Sequence, residues 1–113
     1  MELINLTPHV VRLYTTDGEI AAEIPSSGVA RVGSTPGLLQ DTGLPVPVAA
    51  PTVYGAVEGL PAPQAGVVYV ASMLVAAAAR RADVLSPGTG PNDGAVRDAE
   101  GRIAGVTRLI AHI

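Results

Sequence analysis

The sequence predicts a single α+β domain, mainly antiparallel strands forming a sheet or partly closed barrel, with one short helix at about residues 72–82 packed on it. Three observations point there. Asp17-Gly18 sits between two alternating runs as a hairpin signal. Only Ser72–Ala82, SMLVAAAARRA, has helical composition. Thirteen glycines and ten prolines divide the rest into short extended pieces. A chain of 113 residues makes one domain that buries about two thirds of the surface its unfolded form exposes. Hydrophobic residues are 48% of it, with no Phe and no Trp, so Val, Leu, Ile and Ala must fill the core.

Taken in order, INLTPHVV opens the chain as strand-forming residues interrupted by Asn, Thr, Pro and His. In a strand, Asn5, Thr7 and His9 would share one face, and Pro8 would remove a backbone donor between them. Residues 10–24 read as a hairpin centred on Asp17-Gly18. It pairs Val11 with Ile24 and Leu13 with Ala22 on the core face, and Arg12 with Glu23 and Tyr14 with Ala21 on the solvent face. Pro25–Gly28 is a turn and Val29–Val32 a short third strand. Gly33–Pro51 has no period and reads as a long loop with a short edge strand at Val46–Ala49. Thr52–Val57 is a strand, and Val67–Ala71 is an unbroken apolar run suited to a strand buried on both faces. Ser72 is placed to cap the helix that follows, and Arg80 and Arg81 suit its C-terminal end. Asp83–Pro87 is extended, Ser86–Gly94 an irregular loop, and Asp98–Gly101 a type I turn in a second hairpin. Its return strand runs from Arg102 to about Ala111, with a bulge expected at Gly105.

Composition excludes several function classes. The net charge of −3 disfavours a nucleic-acid partner, which calls for clustered positive charge. Three tyrosines are too few for a base-stacking platform. Every basic side chain beyond the two histidines is Arg, which reads as the codon bias of a GC-rich genome. Without cysteine there are no disulfides or thiolate zinc sites. His9 and His112 lie at opposite ends of the chain with no carboxylate spacing to complete a metal site, so neither a metal nor a cofactor is expected. No signal segment and no apolar run of membrane-spanning length are visible, and the expectation is a soluble cytoplasmic protein with no membrane partner.

The chemistry-bearing candidates are few. Asn5, Thr7 and His9 could orient a ligand, or His9 could act as a general base; equally, Thr7-Pro8-His9 could be a kink at a sheet edge with Asn5 bonding nearby backbone. Arg81 and Asp83 could form an anion site, or simply be charges at a helix end. Tyr54 is a further ligand-binding candidate. Ser72 lacks the glycine-flanked elbow of a nucleophilic serine, so capping accounts for it better. The glycines of SPGTGPNDG lack the lysine and following helix of a phosphate-binding loop.

The segments NLTPH (5–9), YGAVEGLPAPQAG (54–66), YVASMLVAAAARRADVLSPG (69–88) and RDAEGRIAG (97–105) resemble a family of short uncharacterised proteins met in actinobacteria and their phages. The resemblance covers most of the chain, least so Gly33–Pro51. It implies that these segments act as one unit, with their polar members as the natural site candidates, and it brings no activity.

The leading expectation is a non-catalytic binding or interaction domain. It would be a homo-oligomer, because strands apolar on both faces exceed what one helix can cover, and it would sequester a small anionic ligand through Asn5, Thr7, His9, Tyr54, Arg81 and Asp83. One alternative is a small hydrolase or lyase with His9 as base and Arg81 stabilising developing negative charge. Another is a structural component of a larger assembly.

Overall fold

A computed structural model of the chain describes all residues, Met1–Ile113. In chain order the elements are β1 (Glu2–Asn5), β2 (Val11–Tyr14), β3 (Ile20–Ile24), β4 (Arg31–Thr35), β5 (Leu39–Gln40), β6 (Val48–Ala49), β7 (Val53–Glu58), β8 (Val67–Val70), α1 (Met73–Ala79), β9 (Val84–Pro87), β10 (Val96–Arg97), β11 (Ile103–Gly105) and β12 (Leu109–Ala111). The class is α+β with one helix, and antiparallel pairings predominate.

The core sheet runs β1-β8-β9-β12. Its apolar strand β8 lies parallel to both neighbours, pairing Ile4 with Tyr69 on one side and Val70 with Leu85 on the other. Parallel neighbours need a crossover of a dozen or more residues, and α1 supplies it between β8 and β9. Enclosure between two strands and under the helix explains the apolar run at β8, where Tyr69 and Val70 are fully buried. β12 adds to β9 in antiparallel register. Leu6, Ala30, Tyr69, Ala71, Val75, Ala76 and Val84 form the core, with Val32 and Val57 packed against it. In place of the large aromatics it lacks, the core uses one Tyr and small branched side chains.

The remaining strands form two-stranded ribbons, β2-β3, β4-β7, β5-β6 and β10-β11, and no sheet closes into a barrel. The β2-β3 ribbon follows the expected register from Val11–Ile24 to Leu13–Ala22, with Arg12 Nε 3.7 Å from Glu23 Oε2. Tyr14 pairs with Ile20 rather than Ala21. The cause is the turn. Thr15 N donates to Glu19 O and Gly18 N to Thr15 O, with Gly18 at φ +87°, which makes a three-residue loop with a glycine bulge.

Other departures have local causes. The third strand starts at Arg31, because Ala30 N is held by Leu6 O and Ala30 is buried in the core. The helix stops at Ala79, shorter than the composition predicts. Arg80 adopts the left-handed conformation at φ 52° and its N–H bonds Ala76 O, closing the helix before either arginine joins its last turn. At the other end Ser72 caps as expected, its Oγ accepting from Val75 N at 3.4 Å. The expected strand from Arg102 to Ala111 divides in two. Val106 is drawn to β2 through Tyr14 N to Val106 O and Val106 N to Arg12 O, and Thr107 Oγ1 donates to Gly94 O, so β12 joins a different sheet. No helix is long and apolar enough to cross a membrane.

Gly105 shows why no larger residue fits at that division. A Cβ there would lie 2.3 Å from the Tyr14 ring and 2.8 Å from Arg12 O. Gly105→Ala should therefore lower unfolding stability by about 2 kcal/mol or more through overpacking, read from the urea midpoint. A midpoint equal to that of the parent chain would show that the β2–β11 contact is looser than described.

Candidate functional site

The three parallel strands run the same way, so Asn5, Val70 and Pro87 end on one edge of the sheet. Past that edge the chain does not continue as a strand. Asn5 is fully buried and its amide bends the following residues back on themselves. Nδ2 donates to His9 O at 2.7 Å and to Ile24 O at 2.9 Å, while Oδ1 accepts from Thr7 N at 2.9 Å and Thr7 Oγ1 at 2.7 Å. Two donors and two acceptor positions are all an amide has, so this side chain is saturated. Thr7 Oγ1 also lies 3.0 Å from His9 O, and it too faces inward. Asn5 O accepts from Ser27 N, which ties the chain beyond β3 to the same corner.

Asn5 and Thr7 are thus brought together, but not in the row along a strand that side-chain alternation predicts. The strand ends at Asn5, Pro8 turns the backbone, and of His9 only the carbonyl enters the network. The imidazole is exposed and faces a cleft of about 680 Å³ at the carboxyl edge. Thr7, Pro8 and Val10 form one wall of it together with His9. Arg12 comes from β2, Ser72 and Met73 from the start of α1, Pro87 and Thr89 from the exit of β9, and Ile103–Val106 from β11 and the residue after it. None of the 14 lining residues is acidic. The carboxyl ends of parallel strands are where open α/β sheets place their ligand crevices, since the connecting loops diverge there.

Arg81 and Asp83 stand at the opposite edge, just before β9 begins. With four residues of strand between, that edge is about 13 Å away. The guanidinium grips the carboxylate in two places, Nε to Oδ1 at 3.0 Å and Nη2 to Oδ2 at 2.7 Å. Nη1 donates to Pro61 O at 2.9 Å, and the group lies 5.9 Å over the Tyr69 ring, whose hydroxyl donates to Ala62 O at 3.3 Å. This cluster straps the proline-rich segment 61–63 across the start of β8 and β9. Tyr54 is half exposed on β7 opposite Ser34, apart from both groups. His9 and Arg81 therefore do not face a common substrate position.

Sequence reasoning missed Arg12, Ser72 and Thr89 as lining residues. Arg12 reads as an outer hairpin charge and Ser72 as a cap, and each is also that. A further pair was hidden by sequence distance, Ser86 Oγ 2.7 Å from His112 Nε2. It depends on the β9-β12 register, which sets Ile110 opposite Ser86. Hydroxyl and imidazole are partners in nucleophilic catalysis. Here Ser86 is buried outside the cleft and no carboxylate bonds the other ring nitrogen, so the pair serves to satisfy a polar group inside the sheet. No cluster of three metal-ligating side chains is present.

Two outcomes follow for stability. Asn5→Ala strands Ile24 O, His9 O and Thr7 N, and should cost about 3 kcal/mol in urea unfolding, whereas a cost below about 1 kcal/mol would mean that water replaces the amide freely. The second concerns acid. The Arg81 hydrogen bond holds the Asp83 carboxyl below its ordinary range, against an opposing burial effect, and the same bond raises the Arg81 guanidinium. A carboxyl lowered on folding contributes stability above its unfolded value, about pH 4, and loses it as pH falls through and below that value. Asp83→Asn should therefore be about 1–2 kcal/mol less stable than the parent at neutral pH, a figure reduced for partial exposure, with the gap narrowing in acid. A gap independent of pH would exclude the charge as its source.

Comparison of the chain with protein-family models, with curated proteins and with solved structures finds no match in any of the three. The functional reading therefore rests on geometry.

Proposed function

We propose that the chain is a non-catalytic binding domain, working as a homo-oligomer, whose carboxyl-edge cleft holds a small anion carried on an apolar body. The observation that supports this most is the lining. His9, Arg12, Ser72 and Thr89 all line the space, and no carboxylate is among the residues around it. The one ion partner of Arg12 is Glu23, at 3.7 Å with both side chains about half exposed, a pair too weak to hold the guanidinium against a bound carboxylate or phosphate. Pro8, Val10, Met73 and Ile103 give the space an apolar side. The volume falls within the range of small-molecule sites. Asn5 and Thr7 serve this site from beneath, by fixing the backbone that carries His9.

The test is recovery of a ligand. The purified chain, incubated with cell extract, washed and denatured, should release a small anionic compound detected by mass spectrometry. Arg12→Ala should retain it about 10–100-fold less well, the loss expected for one charge-assisted contact. Absence of enrichment, or equal retention by the variant, would remove the cleft as a binding site.

A further inference from the structure

The chain is less compact than its length allows. Its radius of gyration is 16.8 Å, against about 13 Å for a globule of this size. Its accessible surface is 7469 Å², where a compact monomer of its mass exposes about 5,800 Å². Only 15 of its 113 residues are buried. One contributor is an arm built from β5, β6 and the outer ends of β4 and β7, residues 33–55, in which no residue is buried. Within the arm, Leu38, Leu39, Val46, Val48, Val53 and Tyr54 are all exposed, Leu38 to 80%.

The arm has the composition of a covered element. Between Gly33 and Val57 its only charged side chain is Asp41. On β7 a register shift separates the pairs Val32–Val57 and Ser34–Tyr54, so Val57 and Tyr54 point to one face and Val53 to the other. Val57 packs against the core near α1, and farther out the same face emerges at Tyr54, 50% exposed, while Val53 on the other face is 67% exposed. The arm is internally well made: β5 and β6 pair in register, and Gly37 lies so close to Ala50 O that a Cβ would sit 1.9 Å from it. A built, nearly uncharged, apolar ribbon of this kind is an interface in want of its other half.

We infer that the occupant is a second copy of this chain, the arms of two copies packing together about a two-fold axis. The area decides between classes of partner. The chain exposes roughly 1,700 Å² more than a compact monomer of its mass, and one side of an obligate homodimer interface covers about 1,000–2,500 Å², against about 800 Å² a side for a standard-size complex. An arm with almost no charge offers nothing to select a differently charged partner, whereas an isologous contact matches apolar surface to itself. The inference rests on the oligomeric part of the function proposed above and is independent of the anion in the cleft.

Sedimentation velocity of the full chain and of a Leu39→Glu, Val53→Glu double variant tests it. The parent should sediment as a dimer at micromolar concentration, and the variant as a monomer with an unchanged far-ultraviolet dichroism spectrum, its association weakened at least about a hundredfold. Arg12→Ala should remain a dimer, so that loss of the ligand and loss of the pair are told apart. A parent chain monomeric up to hundreds of micromolar, or a variant that dimerises as tightly as the parent, overturns the inference. Should the variant fail to fold, amide exchange of residues 33–55 in the parent decides. Rates that fall with rising protein concentration support pairing through the arm, and rates that do not change refute it.

Discussion

A primary amide sealed inside a β-sheet must find partners for two donors and its carbonyl oxygen, because each one left bare costs about 1–3 kcal/mol. Asn5 finds them all within the residues that follow it and at the end of β3. That requirement shapes the molecule. It stops β1 after four residues, folds Leu6–His9 into a corner, and holds the end of the β2-β3 ribbon against the core sheet through Ile24 O. Backbone bonds from Leu6 N to Val70 O and from Ala30 N to Leu6 O run to either side of the corner. The cleft wall of Thr7, Pro8, His9 and Val10 exists because this corner does.

The second constraint is the parallel core. Setting β8 between β1 and β9 sends all three chains out at one edge, where their diverging connections leave space, and in at the other, where Arg81, Asp83 and Tyr69 close it with hydrogen bonds. Polar chemistry is thereby divided. At the entrance edge it is consumed in holding the proline-rich segment. At the exit edge His9 and Arg12 keep polar groups turned toward solvent. The Asp83 carboxyl is lowered and the Arg81 guanidinium raised by their own bidentate contact, which is a structural role.

What could be read from the sequence was local. Asp17-Gly18 specifies its hairpin because turn chemistry and alternation agree over a few residues, and Ser72 announces a helix for the same reason. The unbroken apolar run at Val67–Val70 correctly implies burial on both faces. Its partners are invisible, since nothing in Glu2–Asn5 marks it as parallel to a strand some sixty residues on. Composition extends the helix through Ala82 because alanine and arginine favour it, while in the structure Arg80 turns left-handed and Arg81 bonds Asp83. Side-chain alternation sets Asn5, Thr7 and His9 in a row only if the strand continues past Pro8, and it ends at Asn5. Arg12 at the cleft and Ser86 beside His112 follow from tertiary pairing alone, which has no signature in spacing.

The central claim is that the Asn5 amide is a closed, permanent clamp, and nuclear magnetic resonance can observe its protons directly. Both Nδ2 hydrogens of Asn5 should give separate, dispersed signals that exchange with solvent only as fast as the whole domain unfolds, in step with the amide of Thr7. Signals that exchange rapidly while the β8 amides stay protected would show a corner open to water, and the account of the cleft built upon it would be wrong.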